Sequence, residues 1–286
     1  MKSRCFICAL LLLALSGCAM SQRPVTGVLF GEILWENTVY VRGDVTLEEG
    51  ATLHIAPGTQ VLFLPPLEGE DLLQVHPFFP GSELIIRGRI LARGTADEPI
   101  VFRSAQADAG RGSWGAVNLR QSPEAIFSHC IFTQADSAIH SFDSLVRVEH
   151  SLFENNLVAL RFNTSDIRIE HNLIRDNAAG IRFHYGAPII NNNHLVDNGK
   201  SFFITSHPRD YLIRNNNILR SREYSVVFGE EVPEDVQMAD NYWGSTDPAQ
   251  IEASLFDGRR LAYLGQLIYL PAATQPFAEA GPSWIR

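Results

Sequence analysis

Arg161 and Arg182 stand 21 residues apart, and His129, His150 and His171 form a second row at the same interval. The two arginines stack one repeat apart between inward residues, so both should point outward from one face, where they are candidate binding groups for a polysaccharide or protein partner. His184 and Tyr185 follow Arg182 closely, with His207 near the corresponding corner one repeat later. An Arg–His–Tyr cluster of this kind could take a proton from a bound substrate. The row of imidazoles could hold a transition metal or sense pH. Metal ligation wants side chains that converge on one point, however, and a row that continues as Asn192, Asn215 and Asp240 reads as a polar surface ladder with no metal.

The interval itself says what must position these side chains. A pattern of apolar, two variable residues, a polar corner and a further apolar residue runs through Phe127–Cys130–Phe132, Val148–Ser151–Phe153, Ile169–Asn172–Ile174, Ile190–Asn193–Leu195, Ile213–Asn216–Ile218 and Met238–Asn241–Trp243. A second track keeps the same period at Ile139, Leu160, Ile181, Phe202 and Val226. Both tracks alternate apolar and polar residues, so each repeat holds at least two strands. A leucine-rich repeat has a similar period but returns through a helical segment, and here the return alternates as well. Strands that recur at this interval pair with their own copies about 4.8 Å away, which makes a parallel coil whose crossovers favour the right hand.

Asn172, Asn193, Asn216 and Asn241 fit the bends of such a coil, since asparagine tolerates the left-handed conformation and its amide can bond along a stack. Ser151 and Cys130 occupy the same place in the preceding turns, so Cys130 is expected to be buried and inert.

With these residues in place the chain resembles the right-handed parallel β-helix repeat proteins of the pectate-lyase-like superfamily. The opening Trp35…Tyr40-Val41, Gly43-Asp44-Val45-Thr46-Leu47 and Glu49-Gly50-Ala51-Thr52-Leu53…Pro57-Gly58-Thr59 resembles that family's first turns, and Gly88…Gly94-Thr95…Pro99-Ile100 and Trp114-Gly115 continue it. Asn241-Tyr242-Trp243-Gly244…Asp247-Pro248…Ile251 and Gly265…Tyr269…Pro271 resemble its closing unit, with Asp247 and Pro248 opening a short helix that lids the last turn. The resemblance implies an all-β fold, a single right-handed parallel β-helix with a short C-terminal capping helix. It also implies where lyases of this fold keep their chemistry: an arginine or a Tyr/His pair on one outer face, beside calcium-binding acids. Arg182, His184 and Tyr185 are the matching candidates, but no outward row of aspartates accompanies them. The paired Asp-Asp, Gly-His and Arg-x-Lys motifs of the related galacturonases are missing.

Two segments leave the repeat, Pro65 to Ser82 and Ala105 to Ser113. In a solenoid such insertions protrude from one side and carry contacts. The first holds Glu68, Glu70 and Asp71, then His76, Phe78 and Phe79 between prolines. The two rings either fold back on the coil or stack on a sugar or partner, so His76, Phe78 and Phe79 join Arg161 and Arg182 as binding candidates.

At the N-terminus, Lys2 and Arg4 precede an apolar run from Phe6 to Leu15, a secretory signal too short to span a bilayer. Leu15-Ser16-Gly17-Cys18 resembles the lipobox of bacterial lipoproteins, in which Cys18 is the lipidated residue. Ala19 after it, in place of aspartate, implies the outer membrane. Once the signal is removed, 21 basic residues face 32 acids, a net charge near −11, which argues against nucleic acid and against docking on anionic headgroups.

The division expected is a signal peptide over 1–17, a tether over 18–34, the coil over 35–271 with regular turns at about 125–244 and a capping unit at 245–271, and a tail over 272–286. The leading functional expectation is a lipid-anchored envelope protein that binds a polysaccharide or a protein partner without catalysis and without a cofactor. A lyase or epimerase acting on acidic polysaccharide, with Arg182, His184 and Tyr185, is the alternative, and a surface spacer is the third reading.

Overall fold

A computed structural model of the chain describes residues 23–71 and 73–285. The expected signal peptide and Cys18 lie outside the described residues. Each turn of the chain makes three short strands, and each strand pairs in parallel with its copies in the turns before and after. Ten strands from Val28–Leu29 to Leu255–Phe256 form a first sheet, eight from Glu32–Trp35 to Leu212–Arg214 a second, and eight from Thr38–Arg42 to Asn217–Leu219 a third. The result is an all-β, right-handed parallel coil of about nine turns with one short helix near its end.

The alternation in each strand sends one set of side chains inward. Phe102, Phe132, Phe153, Ile174, Leu195 and Ile218 hold one register down the third sheet, and all are fully buried. Trp243 follows them, because Tyr242 pairs with Asn217. The three Phe rings lie nearly parallel, with centroids 4.5 and 4.8 Å apart. Ile139, Leu160, Ile181, Phe202 and Val226 form the facing column from the first sheet. Burying each such side chain stabilises the coil by about 1.5–3 kcal/mol, so the repeated register is what makes the stack hold.

The bends follow a two-residue rule that corrects the expected role of the asparagines. The left-handed residue is the one before Ser151 and before each asparagine: His150, His171, Asn192, Asn215 and Asp240 have φ between 49° and 57°. Asn172, Asn193, Asn216 and Asn241 point inward instead, and their amides need partners there because no water reaches them. Asn193 Nδ2 donates to Asn216 Oδ1 at 2.9 Å and to Ile169 O at 2.7 Å, while Asn172 N donates to Asn193 Oδ1 at 3.0 Å. A second buried ladder runs along the corner between the third and first sheets, where Asn156, Asn177 and Asn198 follow left-handed Asn155, Asp176 and Asp197.

The coil also begins earlier than the expected tether boundary. Val25 pairs with Val41, Val28–Leu29 joins the first sheet and Glu32–Trp35 the second, so residues 25–34 already belong to it. Stacking is likewise regular before residue 125, and the uneven spacing there comes from the two insertions. Both leave the coil at the corner between the third and first sheets, after Gln60–Leu64 and after Ile100–Ser104.

At the other end, Asp247 accepts from Ala249 N at 3.0 Å to open the helix Pro248–Ala253, whose Ile251 is buried against the core. The tail turns back and runs along the outside of the corner between the second and third sheets. Ala273 N donates to Asn241 O, Phe277 N to Asn217 Oδ1, Gly281 N to Asn192 O and Trp284 Nε1 to His150 O, at 2.7 to 3.0 Å.

Candidate functional site

The outward side chains of the first sheet form one row. Asn118, His140, Arg161, Arg182, Phe203 and Val227 are register partners in successive turns, alternating with the inward column of Ile139, Leu160, Ile181, Phe202 and Val226. The loop 65–82 folds over the start of this row and turns it into a cleft of about 560 Å³. The loop is held there by its base. Glu70 ion-pairs with Arg42 at 3.0 Å, and its carbonyl accepts from Asp44 N at 2.9 Å. Gly43, with φ of 71°, admits that carbonyl, which a Cβ would meet at 2.5 Å.

Behind the cleft wall, Phe79 is buried against His140, with ring centroids 5.1 Å apart, and Arg161 lies 5.5 Å from its ring centre. Arg182 lies 4.9 Å from the centre of Phe203. Neither arginine has an ion-pair partner among the described residues. Burial pulls Arg161 down to about 10, with Arg182 adding to the effect and Asp136 opposing it. Arg182 is lowered by burial as well.

His184 stands further along the wall, 3.8 Å from Glu231, whose carboxylate accepts from Ser206 Oγ at 2.9 Å. Glu230 and Glu231 therefore bound the cleft on its C-terminal side, and the two arginines occupy its centre.

Behind the row lies a polar chain. Asn118 Nδ2 donates to Glu83 Oε1 at 2.7 Å and to Pro77 O at 2.9 Å, and His140 Nδ1 lies 2.8 Å from Asn118 Oδ1. Burial holds Glu83 well above the usual carboxylate range, against the bonds from Asn118 and Phe79. Burial also holds His140 well below the usual imidazole range, helped by Arg161, His76 and Arg120.

A family model described as a right handed beta helix region matches residues 110–218. The coil described above carries the same right-handed β-helix architecture beyond that match in both directions. No curated protein and no solved structure matches it.

The β-helix brings four of the residues singled out above into the cleft and disperses the others. Arg161, Arg182, His184 and His76 line the cleft, and Phe79 packs behind His76 and His140. Phe78 lies outside the cleft against Arg120, whose guanidinium is 5.1 Å from its ring centre. Tyr185 is the left-handed residue of the next corner, with φ of 57°. Its ring meets His184 edge-on at 4.5 Å, but it lines a separate hollow with Gly186 and Arg209. The Arg–His–Tyr cluster is thus split across a bend of the β-helix.

His129, His150 and His171 stack at 5.2 and 5.1 Å on a different corner, where Trp284 leans on His129 and His171 Nδ1 is 3.1 Å from Glu279 O. They hold the tail, and no group of three or more metal-ligating side chains gathers among the described residues. His140 went unnoticed in the sequence, although the interval that puts Arg182 after Arg161 puts His140 before it. Phe203 extends the same row. Asn118 and Glu83 carry no such signal, because the insertions break the spacing between them.

Proposed function

We propose that this β-helix protein is held at the outer membrane through a lipidated Cys18 and binds an acidic polysaccharide, without transforming it, along the cleft of its first sheet. The observation that carries this reading is the pair Arg161 and Arg182. Each is at least half buried, the two stand in successive turns, and neither forms an ion pair among the described residues, Asp136 acting on Arg161 only at longer range. Leaving a partly desolvated cation without a counter-charge costs free energy, and an anion that fills the cleft offsets it. Strand spacing sets the backbones of the two arginines about 4.8 Å apart, and both side chains line the one cleft. The flanking faces of Phe203 and His76 suit the apolar faces of sugar rings. A spacer has no need of such a pair.

Titration of the soluble fragment from Ala19 onward with oligogalacturonate and with a neutral oligosaccharide tests the reading. Binding of the acidic chain alone is expected, weakened by added salt and reduced at least about tenfold by Arg161→Gln with Arg182→Gln. Equal binding of both sugars, or no effect of the arginine substitutions, would refute it. The lyase or epimerase alternative draws on Arg182 and His184, both in the cleft, and unsaturated or epimerised uronate in the same titration would favour it.

A further inference from the structure

Every proton in the chain Pro77, Asn118, His140 can be assigned from what each atom is able to do. The Pro77 carbonyl oxygen only accepts, so the Asn118 atom 2.9 Å from it is the amide nitrogen. That nitrogen gives its second proton to Glu83 Oε1. The amide oxygen is then the atom that faces His140 Nδ1. An amide oxygen only accepts, so Nδ1 carries the proton, and in the neutral ring Nε2 carries a lone pair.

The surroundings keep the ring neutral. His140 is 2% exposed. The ionisable groups facing it are His76 from the loop, Arg120 from the preceding strand, and Arg161 from the following one, all bases that oppose a further positive charge. Burial raises the acid behind Asn118, Glu83, well above the usual carboxylate range. His140 Nε2 has no partner among the described residues, yet the ring lines the cleft and this nitrogen is not sealed from it.

We propose that His140 is a built-in hydrogen-bond acceptor of the cleft, whose Nε2 accepts a hydrogen bond from a hydroxyl of a sugar whose carboxylate lies on Arg161 and Arg182, with Pro77 and Asn118 as its positioning residues. The inference rests on the acidic-glycan reading and deepens it by naming the atom that recognises the sugar's hydroxyl beside its carboxylate. A chain of bare carboxylates satisfies the arginines but leaves Nε2 covered and unmatched, and a site built around a hydrogen bond discriminates against ligands that cannot make it.

Two measurements test it. In the ligand-free protein, long-range proton–nitrogen spectra of labelled histidines should show His140 as the neutral form protonated at Nδ1. A ring protonated at Nε2, or an imidazolium at neutral pH, overturns the proposal whatever the protein binds. In titrations, the wild-type fragment should bind oligogalacturonate about tenfold more tightly than poly-glutamate of equal charge. His140→Phe keeps the packing against Phe79 and removes the acceptor. It should weaken oligogalacturonate about tenfold and leave poly-glutamate within about twofold. Equal affinities in the wild type, or equal losses in the variant, overturn the hydroxyl role while leaving the arginine site standing. Failure of the arginine substitutions to weaken either chain removes that site, and the hydroxyl role with it.

Discussion

Protonation of His140 would place a charge beside Arg161 and Arg120 with little water to receive it, and the same sign of effect recurs at His76, His129, His150 and His194. In each case burial is the main cause and lowers the folded-state value below the ordinary 6.5. The unfolded chain therefore binds more protons than the folded one just below that pH, and stability falls as pH drops through about 6.5. Glu83 and Asp136 act in the opposite sense, since burial raises both and each stabilises only while protonated. Thermal melts taken from about pH 7.5 to 5.5 should show a declining midpoint, with a shallower decline in His140→Phe; a flat profile would contradict the burial of these rings. Cys130 is a second residue whose chemistry is set by its place. It is fully buried, burial pushes its thiol well up, and its Sγ lies 3.6 Å from Ala92 O. A thiol reagent should label it only after denaturation, and Cys130→Ser should cost about 1 kcal/mol, because serine already fills the place at Ser151. Rapid labelling of the native protein would be the contrary result.

The corners, more than the strands, distinguish this coil from a generic stack of parallel strands. Each uses one left-handed residue that faces out and one small polar residue that faces in, so outward and inward roles are carried by neighbours. Asn193→Leu removes bonds at both ends of its amide and leaves Asn172 and Asn216 short of a partner. The expected cost is about 1–3 kcal/mol, measured by denaturant unfolding, and Asn177→Leu should behave alike because it occupies the equivalent place one corner on. A neutral result at either site would mean that the ladders add nothing to stability. The strand columns and the asparagine stack were legible in the sequence because a fixed interval repeats side-chain type. Three other features were not. The left-handed position was assigned one residue late, since its occupants His150, His171, Asn192 and Asp240 share no side-chain class. The corner ladder of Asn156, Asn177 and Asn198 escaped because it sits between tracks already assigned. Burial of Phe79 depends on Gly43, Glu70 and Ser82 closing the loop, contacts between distant residues that no local pattern encodes.

At the scale of the molecule, the first sheet carries the cleft because the loop 65–82 emerges at the corner beside it and brings His76 over the row. Cys18→Ala should release the protein from membranes into the soluble fraction, and unchanged membrane association would remove the lipid anchor from the account. The tail has a separate consequence. In a solenoid each turn touches only its neighbours, so the end turns can fray one at a time. Residues 273–284 instead cross several turns, from Asn241 back to His150, and tie them in parallel with the stack. Loss of the last turn then requires release of a strap that also holds turns far behind it. The C-terminal half should therefore unzip as one block: amide hydrogen exchange should be nearly uniform from His150 to Asn241 in the intact chain. Once the chain is cut after Pro271, protection should become a gradient that weakens toward the free end.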